Sequence, residues 1–319
     1  MKRISILLGI ILIGIIIGIF WWQNGLLALD STNKNTKIFI VHTGEGVREI
    51  ANNLKAQGLI RDPIVFFLLI RQKGFDKQIQ AGDFRLSPSM NANEVAANLT
   101  HGILDIWVTF PEGIRADEIA DILKAKIPSF QESWRTELIA QEGYLFPDTY
   151  LIPKDADIKL ILSLFKNNFD KKYQTVITDT STSLTQNQVI IIASMVEREA
   201  KTESERPLVA SVILNRLSIG MKLDIDATIQ YALGYSTSEK SWWKKNLTVD
   251  DLSIDSPYNT RLVAGLPPGP ISNPGLSAIL ATLKPAKTDY LYYMTDGKGI
   301  THFAKTVEEH NANIKTYGL

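Results

Sequence analysis

The stretch TQNQVIIIASMVEREA, residues 185–200, predicts the helix on which the fold and the chemistry depend. Thr185 and Gln188 have the spacing of a capping box, which marks a helix start. The residues that follow place apolar side chains at helical spacing, so one face of this helix is expected to be buried. At 100° per residue Glu199 falls within about 20° of Ile192, in the middle of the apolar face, and Glu197 falls on the opposite side.

A carboxyl group on an apolar face is unfavourable when it is charged, so burial is expected to raise the pKa of Glu199. A carboxyl that stays protonated near neutral pH is what a general acid needs. The alternative is a structural glutamate that is neutralised by a buried arginine such as Arg206 or Arg216. The pattern by itself leaves both interpretations open.

Composition excludes several classes of function. The 319 residues contain 34 Lys and Arg against 34 Asp and Glu, so no net charge favours nucleic acid as a partner. No cysteine is present, and the four histidines lack the spacing of known metal ligands. We therefore expect no metal site and no cofactor.

The N-terminal segment is the most apolar part of the chain. Residues 4–22, ISILLGIILIGIIIGIFWW, carry no charge and would span about 30 Å as a helix. Lys2 and Arg3 precede the segment, and Trp21 and Trp22 close it, which predicts a single-pass transmembrane helix with residues 1–3 as a cytoplasmic tail. A cleaved signal peptide is the alternative, but the apolar stretch is long for one and no clear cleavage site follows.

The next part of the chain alternates between short strands and helices. Residues 23–36 form a polar linker in this interpretation, and KIFIV at 37–41 predicts a strand that leads through the turn TGEG at 43–46 into a helix. This pattern loosely resembles a LysM module, a small βααβ fold that binds N-acetylglucosamine-containing glycans, over residues 37–103. A spacer domain that binds nothing is an equally good interpretation.

A partial repeat follows this subdomain. EIADILKA at 118–125 matches EIANNLKA at 49–56 in six of eight positions, which predicts a related strand–helix unit over 104–128. Chance similarity between two amphipathic helices is the alternative. From residue 129 to 319 longer helices alternate with Pro/Gly-rich loops, and we expect a mixed α/β catalytic domain there. The predicted fold class is thus α+β, with an N-terminal transmembrane helix, a small βααβ LysM-like module and the catalytic domain.

Four further segments occur in a characteristic order after EGYLFPDTYLIP, which begins at Glu142. They are ASMVEREA at 193–200, SVILNRLSIGMKLDIDATIQYAL at 211–233, SPYNTRLVAGLPPGPISNPG at 256–275 and YLYYMTDGKGITHFAKTVEEHN at 290–311. Together they closely resemble the successive signatures of the YceG-like endolytic murein transglycosylases. The resemblance implies cleavage of the MurNAc–GlcNAc β-1,4 bond within nascent strands, which leaves 1,6-anhydroMurNAc ends and ends strand elongation. The second glutamate of the ASxxExE motif, Glu199 here, would be the catalytic residue.

The same resemblance suggests which residues contact the substrate. Their amide, hydroxyl, phenol and carboxylate groups suit sugar contacts; they are Asn215, Asp226, Thr228, Tyr231, Tyr258, Asn259 and Thr260. The alternative for each is capping or turn formation. Asp226 is the foremost of them, because it could hydrogen-bond Glu199 or stabilise developing positive charge, although it could instead cap a helix from Thr228 to Leu233. Two residues depart from the family pattern, namely Ala227 in place of a frequent proline and Arg261 in place of an aromatic residue.

Two rival functions remain open at this level. One is a glycosidase that uses Glu199 together with Asp226 or Glu205. The other is an anchored glycan-binding protein without enzymatic activity. For the transglycosylase we expect peptidoglycan strands as substrate, contact with the lipid bilayer through residues 4–22, and, from the resemblance, peptidoglycan synthases as partners. The predicted location is the bacterial cytoplasmic (inner) membrane, with the N-terminus inside and the catalytic domain outside.

Overall fold

The computed structural model describes residues 2–100, 105–154, 156–178, 180 and 182–318, with the backbone alone at 2–8, 10 and 11. The chain divides into two compact units, Met1–Trp107 with Leu151–Asp155, and Val108–Tyr150 with Ala156–Leu319. The predicted boundary between residues 103 and 104 lies outside the described residues. The mixture of helices and strands agrees with the predicted mixed α/β character.

The first unit contains the predicted β-α-α-β order. Its elements are α1 (Lys2–Leu26), β1 (Lys37–Val41), α2 (Val47–Ala56), α3 (Pro63–Lys73), β2 (Gly82–Leu86) and α4 (Ala92–Thr100). β1 and β2 are antiparallel, with Phe39 opposite Phe84, and both rings are fully buried. Asp62 accepts hydrogen bonds from the first free N–H groups of α3, and Gly74 ends that helix in the left-handed conformation.

The predicted transmembrane helix at residues 4–22 is wrong. Within the described residues, none of the helices combines the length and the apolar character that crossing a membrane requires. The prediction rested on the run of apolar residues and took no account of what those residues pack against. The last turns of α1 belong to the first unit. Trp22 and Leu26 pack against its core, and a Cβ at Gly25 would come within 2.6 Å of Val65.

The second unit is mainly helical with short strands. From residue 105 onwards the elements are β3 (Asp105–Thr109), α5 (Ala116–Lys126), α6 (Trp134–Ile139), β4 (Thr149–Pro153), α7 (Ile158–Ile177), α8 (Gln186–Glu199), α9 (Arg206–Ser218), α10 (Asp226–Leu233), α11 (Val249–Leu252), α12 (Leu276–Leu283), β5 (Tyr292–Thr295), β6 (Thr301–Ala304) and α13 (Val307–Tyr317). Of these, β3 and β4 each contain residues of both units. β3 pairs with β4, and β5 pairs antiparallel with β6.

Helix α8 is the centre of this unit. The predicted capping box is present, because Thr185 Oγ1 accepts from Gln188 N at 3.3 Å and Gln188 Oε1 accepts from Thr185 N at 2.9 Å. Every residue from Val189 to Val196 is buried. Helices α9, α10 and α12 pack around it, so the helix is enclosed on all sides rather than on the single face that the periodicity predicted.

A buried amide joins three distant segments of the second unit. Asn273 Oδ1 accepts from the N–H groups of Gly143 and Leu145, both at 2.9 Å. Its Nδ2 donates to the Ile114 carbonyl at 3.0 Å and to Glu142 Oε1 at 2.8 Å. All donors and acceptors of the Asn273 side chain are thus used within the fold, which holds the loop before α12 against the segments before α5 and β4.

Burial raises the pKa of Glu142 to about 8, although the hydrogen bond that the carboxyl accepts from the Ala116 N–H acts to lower it. In the unfolded chain this carboxyl titrates near 4.5. Between these pH values the folded protein keeps a proton that the unfolded chain has released, so this group makes stability fall as pH rises. We predict that the free energy of unfolding of the Glu142→Gln protein, relative to that of the parent protein, rises by on the order of 3 kcal/mol when the pH is raised from 5 to 8.

Urea unfolding of both proteins at pH 5 and pH 8 measures this change. Glu137→Gln on α6 is the matched control, since Glu137 is exposed. An equal pH dependence of stability in the parent and the Glu142→Gln protein would contradict the prediction.

Candidate active site

Glu199 is the last residue of α8, and its carboxyl group is held by donors from two other elements. The phenol of Tyr293, on β5, donates to Glu199 Oε2 at 2.9 Å. The backbone N–H of Ala227, in the first turn of α10, also donates to the carboxyl. No Lys or Arg of the described residues forms an ion pair with Glu199, and the residue is partly accessible to solvent.

The pKa of Glu199 is raised above its ordinary value, chiefly because burial penalises the charged form. The negative charge of Asp226 raises it further. The hydrogen bonds from Tyr293 and Ala227 and the charge of Arg198 act in the opposite direction without cancelling the increase. The site therefore contains a carboxyl that favours the protonated form and still has donors ready for the anion, as a group with both acid and base duties requires.

Tyr293 stays a donor over the working pH range. Burial and the adjacent carboxyl charge raise the pKa of Tyr293 well above its ordinary value. Its hydroxyl holds Oε2 of Glu199 in place. Tyr293 was not among the predicted site residues, although it lies within the YLYYMTD segment at 290–296. The available signal was the run of tyrosines in that segment, but nothing in the sequence shows which phenol meets Glu199.

Glu197 has a different environment. Its Oε1 accepts from Arg206 Nη2 at 2.6 Å, and its Oε2 accepts from the Gly275 N–H at 2.9 Å. Its side chain is 6% exposed. The interpretation of a buried glutamate neutralised by Arg206 thus applies to Glu197, whereas Glu199 has no such partner.

Arg216, the other arginine considered for Glu199, binds backbone carbonyls instead. Its Nε donates to the Leu291 carbonyl and its Nη1 to the Leu223 carbonyl, each at 2.6 Å. Leu291 directly precedes β5, and Leu223 lies shortly before α10. Arg216 therefore joins the two elements that supply Tyr293 and Ala227 to the site.

Asp226 begins α10 and forms an ion pair with Arg261. Arg261 donates to Asp226 Oδ1 from Nη2 at 2.7 Å and from Nε at 3.1 Å. Leu223 and Ile225, which precede Asp226 in the chain, are both buried. Ile225 occupies the N-cap position, and no side chain caps the helix there, so Asp226 is not its cap. A direct role for Asp226 in catalysis stays a prediction.

Three of the other predicted contact residues are buried and bind within the protein. Thr228 and Thr260 share a hydrogen bond between their Oγ1 atoms at 2.9 Å, and Thr260 Oγ1 accepts from Ile225 N at 3.0 Å. Asn259 donates to two carbonyls of the preceding loop, at 2.9 and 3.1 Å. In this arrangement they shape the start of α10, and their contact with sugar stays a prediction.

The remaining three lie nearer the surface. Asn215 Nδ2 donates to the carbonyls of Thr288 and Tyr290, both at 2.9 Å, and so holds the loop that precedes β5. The rings of Tyr231 and Tyr258 lie 4.8 Å apart and keep part of their surface accessible. Of the predicted set, these two rings offer the surface on which a sugar could stack. No cluster of three or more His, Asp or Glu side chains suited to a metal lies among the described residues.

Known proteins are similar to this chain over most of its length. A protein from Bacillus subtilis strain 168 named endolytic murein transglycosylase is 31% identical over 95% of this chain and 91% of its own length. A protein of the same name from Streptococcus pneumoniae D39 is 29% identical over 93% of this chain but only 62% of its own length, so the chain spans less than two thirds of that relative.

A solved structure agrees with this relationship. The crystal structure of a yceG-like protein from Listeria monocytogenes superimposes with a TM-score of 0.58 at 30% identity, over 88% of this chain and 99% of that one. The model of the YceG-like family matches residues 39–316, which include α8, Glu199 and Tyr293. With that span matched, the chain belongs to the YceG-like family.

Proposed function

We propose that this chain is an endolytic murein transglycosylase in which Glu199 serves as the single acid and base. The observation that supports this proposal is the environment of the Glu199 carboxyl. Its pKa is raised, it accepts a hydrogen bond from a phenol, and it forms no ion pair with a Lys or Arg among the described residues. The names of the Bacillus and Streptococcus relatives and the family match support the choice of peptidoglycan as substrate.

The reaction needs one carboxyl group that works twice. Protonated Glu199 gives its proton to the oxygen between MurNAc and GlcNAc, and the bond from that oxygen to C1 of MurNAc breaks. The resulting carboxylate takes the proton of the C6 hydroxyl of the same sugar while that oxygen bonds to C1. The product is a 1,6-anhydroMurNAc end, and no water is consumed. Because nucleophile and electrophile belong to one sugar, the step gains the advantage of an intramolecular reaction.

The site offers less support for a hydrolase that uses two carboxyl groups. Asp226 is engaged by Arg261. Glu205 accepts from the N–H groups of Lys201 and Thr202, at 3.1 and 3.2 Å, and its pKa is lowered. A glycosidase needs its second carboxylate free to attack the sugar or to activate water. The single-acid reaction uses Glu199, which accepts hydrogen bonds from Tyr293 and Ala227 but forms no ion pair with a Lys or Arg among the described residues.

The proposed substrate also fixes the compartment. Peptidoglycan lies outside the cytoplasm, so the catalytic unit would act outside it as well. A cut inside a growing strand would end elongation of that strand, and synthases that extend strands are the partners with which such a cut would have to be coordinated.

We predict that Glu199→Gln lowers the rate on uncrosslinked glycan strands at least about 100-fold without a loss of stability, because the amide keeps the shape but cannot transfer the proton. Turnover measurements and thermal melts test this. Glu197→Gln is the matched control: it leaves Arg206 without its buried partner and should cost about 3 kcal/mol of stability, while the folded protein stays active. Near-parental activity of Glu199→Gln would place the acid elsewhere.

We predict that Tyr293→Phe moves the pH profile of the reaction. The phenol hydrogen bond lowers the pKa of Glu199, so its removal raises that pKa further and shifts the alkaline limb of kcat/KM to higher pH. The rate should fall about tenfold at the optimum, because Oε2 loses its orienting donor. Tyr292→Phe, one residue earlier on the same strand, is the control. An unshifted alkaline limb in Tyr293→Phe would remove this residue from the mechanism.

The products distinguish the two enzymatic reactions. We expect mass spectrometry of digested strands to show 1,6-anhydroMurNAc ends, which are lighter by one water than reducing ends, and fragments from internal cuts. Products with only reducing MurNAc ends would favour the hydrolase and would reject the intramolecular step.

A further inference from the structure

A cavity of about 500 Å³ opens on the second unit beside the C-terminal end of α8. Arg198, the neighbour of Glu199 in the chain, lines it together with Trp242, Trp243 and Tyr235. The volume lies in the range of small-ligand sites in proteins, and the walls combine aromatic rings with charged groups. Neither the fold nor the proposed chemistry at Glu199 accounts for these groups.

Three carboxylates line this cavity, and one of them, Glu112, forms an ion pair with Arg206 at 3.5 Å. Glu118 Oε2 accepts from the indole of Trp243 at 3.0 Å. Asp121 accepts from the indole of Trp242 at 2.9 Å and from Arg135 at 2.7 Å. These acids fix the two tryptophans as walls, and the acids have little capacity left to bind a cationic ligand.

The two cationic side chains that line the cavity, Arg198 and Lys240, differ from the acids in their hydrogen bonding. The Arg198 guanidinium carbon lies 3.7 Å from the centre of the Trp243 ring, and its Nε is buried without an acceptor in the described part of the chain. No hydrogen bond or ion pair between described residues involves the Arg198 or Lys240 side chains. Lys240 has a φ of 49°, so its backbone adopts the left-handed conformation at the cavity edge. The cavity therefore presents donors that lack acceptors.

We propose that this cavity binds the carboxylate-bearing peptide stem of a peptidoglycan strand, with Arg198 and Lys240 on the carboxylates. The inference rests on the proposed function and adds the part of the substrate that is recognised beside the cut. A planar guanidinium held flat on an indole presents its N–H fork to a carboxylate, and charge-assisted bonds of this kind are the strong ones.

The position of the cavity suits a stem next to the cleaved bond. Arg198 and Glu199 are adjacent, so their Cα atoms are about 3.8 Å apart, while their side chains leave the helix about 100° apart. A MurNAc whose bond lies at Glu199 could thus extend its lactyl-linked peptide towards Arg198. The rings of Tyr235 and Trp242, with centres 5.2 Å apart, supply apolar surface for the peptide between its carboxylates.

Binding can be measured separately from catalysis. The probe is N-acetylmuramyl-L-alanyl-D-glutamate, titrated calorimetrically into the full chain carrying Glu199→Gln. We expect the same fragment with both carboxyl groups amidated to bind at least tenfold more weakly. Arg198→Gln and Lys240→Gln should each weaken the free-acid fragment about fivefold or more. Lys245→Gln, an exposed lysine of the same loop that does not line the cavity, should change nothing.

Two results would overturn the proposal. One is equal affinity for the acid and the amidated fragment. The other is unchanged affinity in both Arg198→Gln and Lys240→Gln proteins. Lys240 is exposed, so Lys240→Gln keeps the test valid if Arg198→Gln does not fold. If a neutral N-acetylglucosamine trimer loses affinity in Lys240→Gln as strongly as the peptide fragment does, the cavity is a sugar subsite and the proposal fails.

A kinetic comparison then separates this role from an effect on Glu199. Strands that carry stems are compared with strands from which an amidase has removed them. Lys240→Gln should raise KM about fivefold on strands that carry stems. It should leave KM on strands without stems unchanged, and kcat on both. Equal losses on both strands would contradict stem recognition. If the parent protein cuts neither strand, the proposed function fails, and the calorimetric result still decides whether the cavity binds the stem.

Discussion

The enclosure of helix α8 on all sides is the constraint on which the second unit depends. A polar group inside such a helix must find a partner or change its pKa, because burial without a hydrogen bond is costly. Ser194 donates to the Ile191 carbonyl and accepts from Ile271 N. Glu197 has Arg206 and the Gly275 N–H. Glu199 receives donors but no ion-pair partner from the described residues. Burial raises the pKa of both glutamates, against the Gly275 hydrogen bond and the Arg206 charge at Glu197 and against the Tyr293 hydrogen bond at Glu199.

This difference between two glutamates on one helix follows from what packs against each of them. Glu197 faces the start of α9 and the loop before α12, where an arginine and a free N–H group lie. Glu199 faces β5 and the first turn of α10. Both of these elements are fixed by Arg216, which donates to the chain just before each one. The ion pair of Glu197 and the raised pKa of Glu199 without an ion pair thus arise from the same packing.

The sequence was informative where the physics is local. The capping box at Thr185 and Gln188 depends on neighbouring residues alone. Partners from distant segments could not be predicted, which is why Tyr293 was missed and why Arg206 was not assigned to Glu197. The transmembrane prediction failed for a related reason, since apolar periodicity records no packing partner.

The two departures from the family pattern meet at the same carboxyl group. Ala227 donates its backbone N–H to Glu199, and a proline there would have no N–H to donate. Arg261 pairs with Asp226, whose charge raises the pKa of Glu199. The Ala227 N–H favours the carboxylate form of Glu199, and the Asp226 charge favours the protonated form. In the proposed reaction the group that gives a proton to the glycosidic oxygen must also exist as the base that removes one from the C6 hydroxyl, and burial alone would favour only the first duty. In that reaction Ala227 and the Asp226–Arg261 pair would therefore act on the balance between its two halves rather than on the identity of the acid.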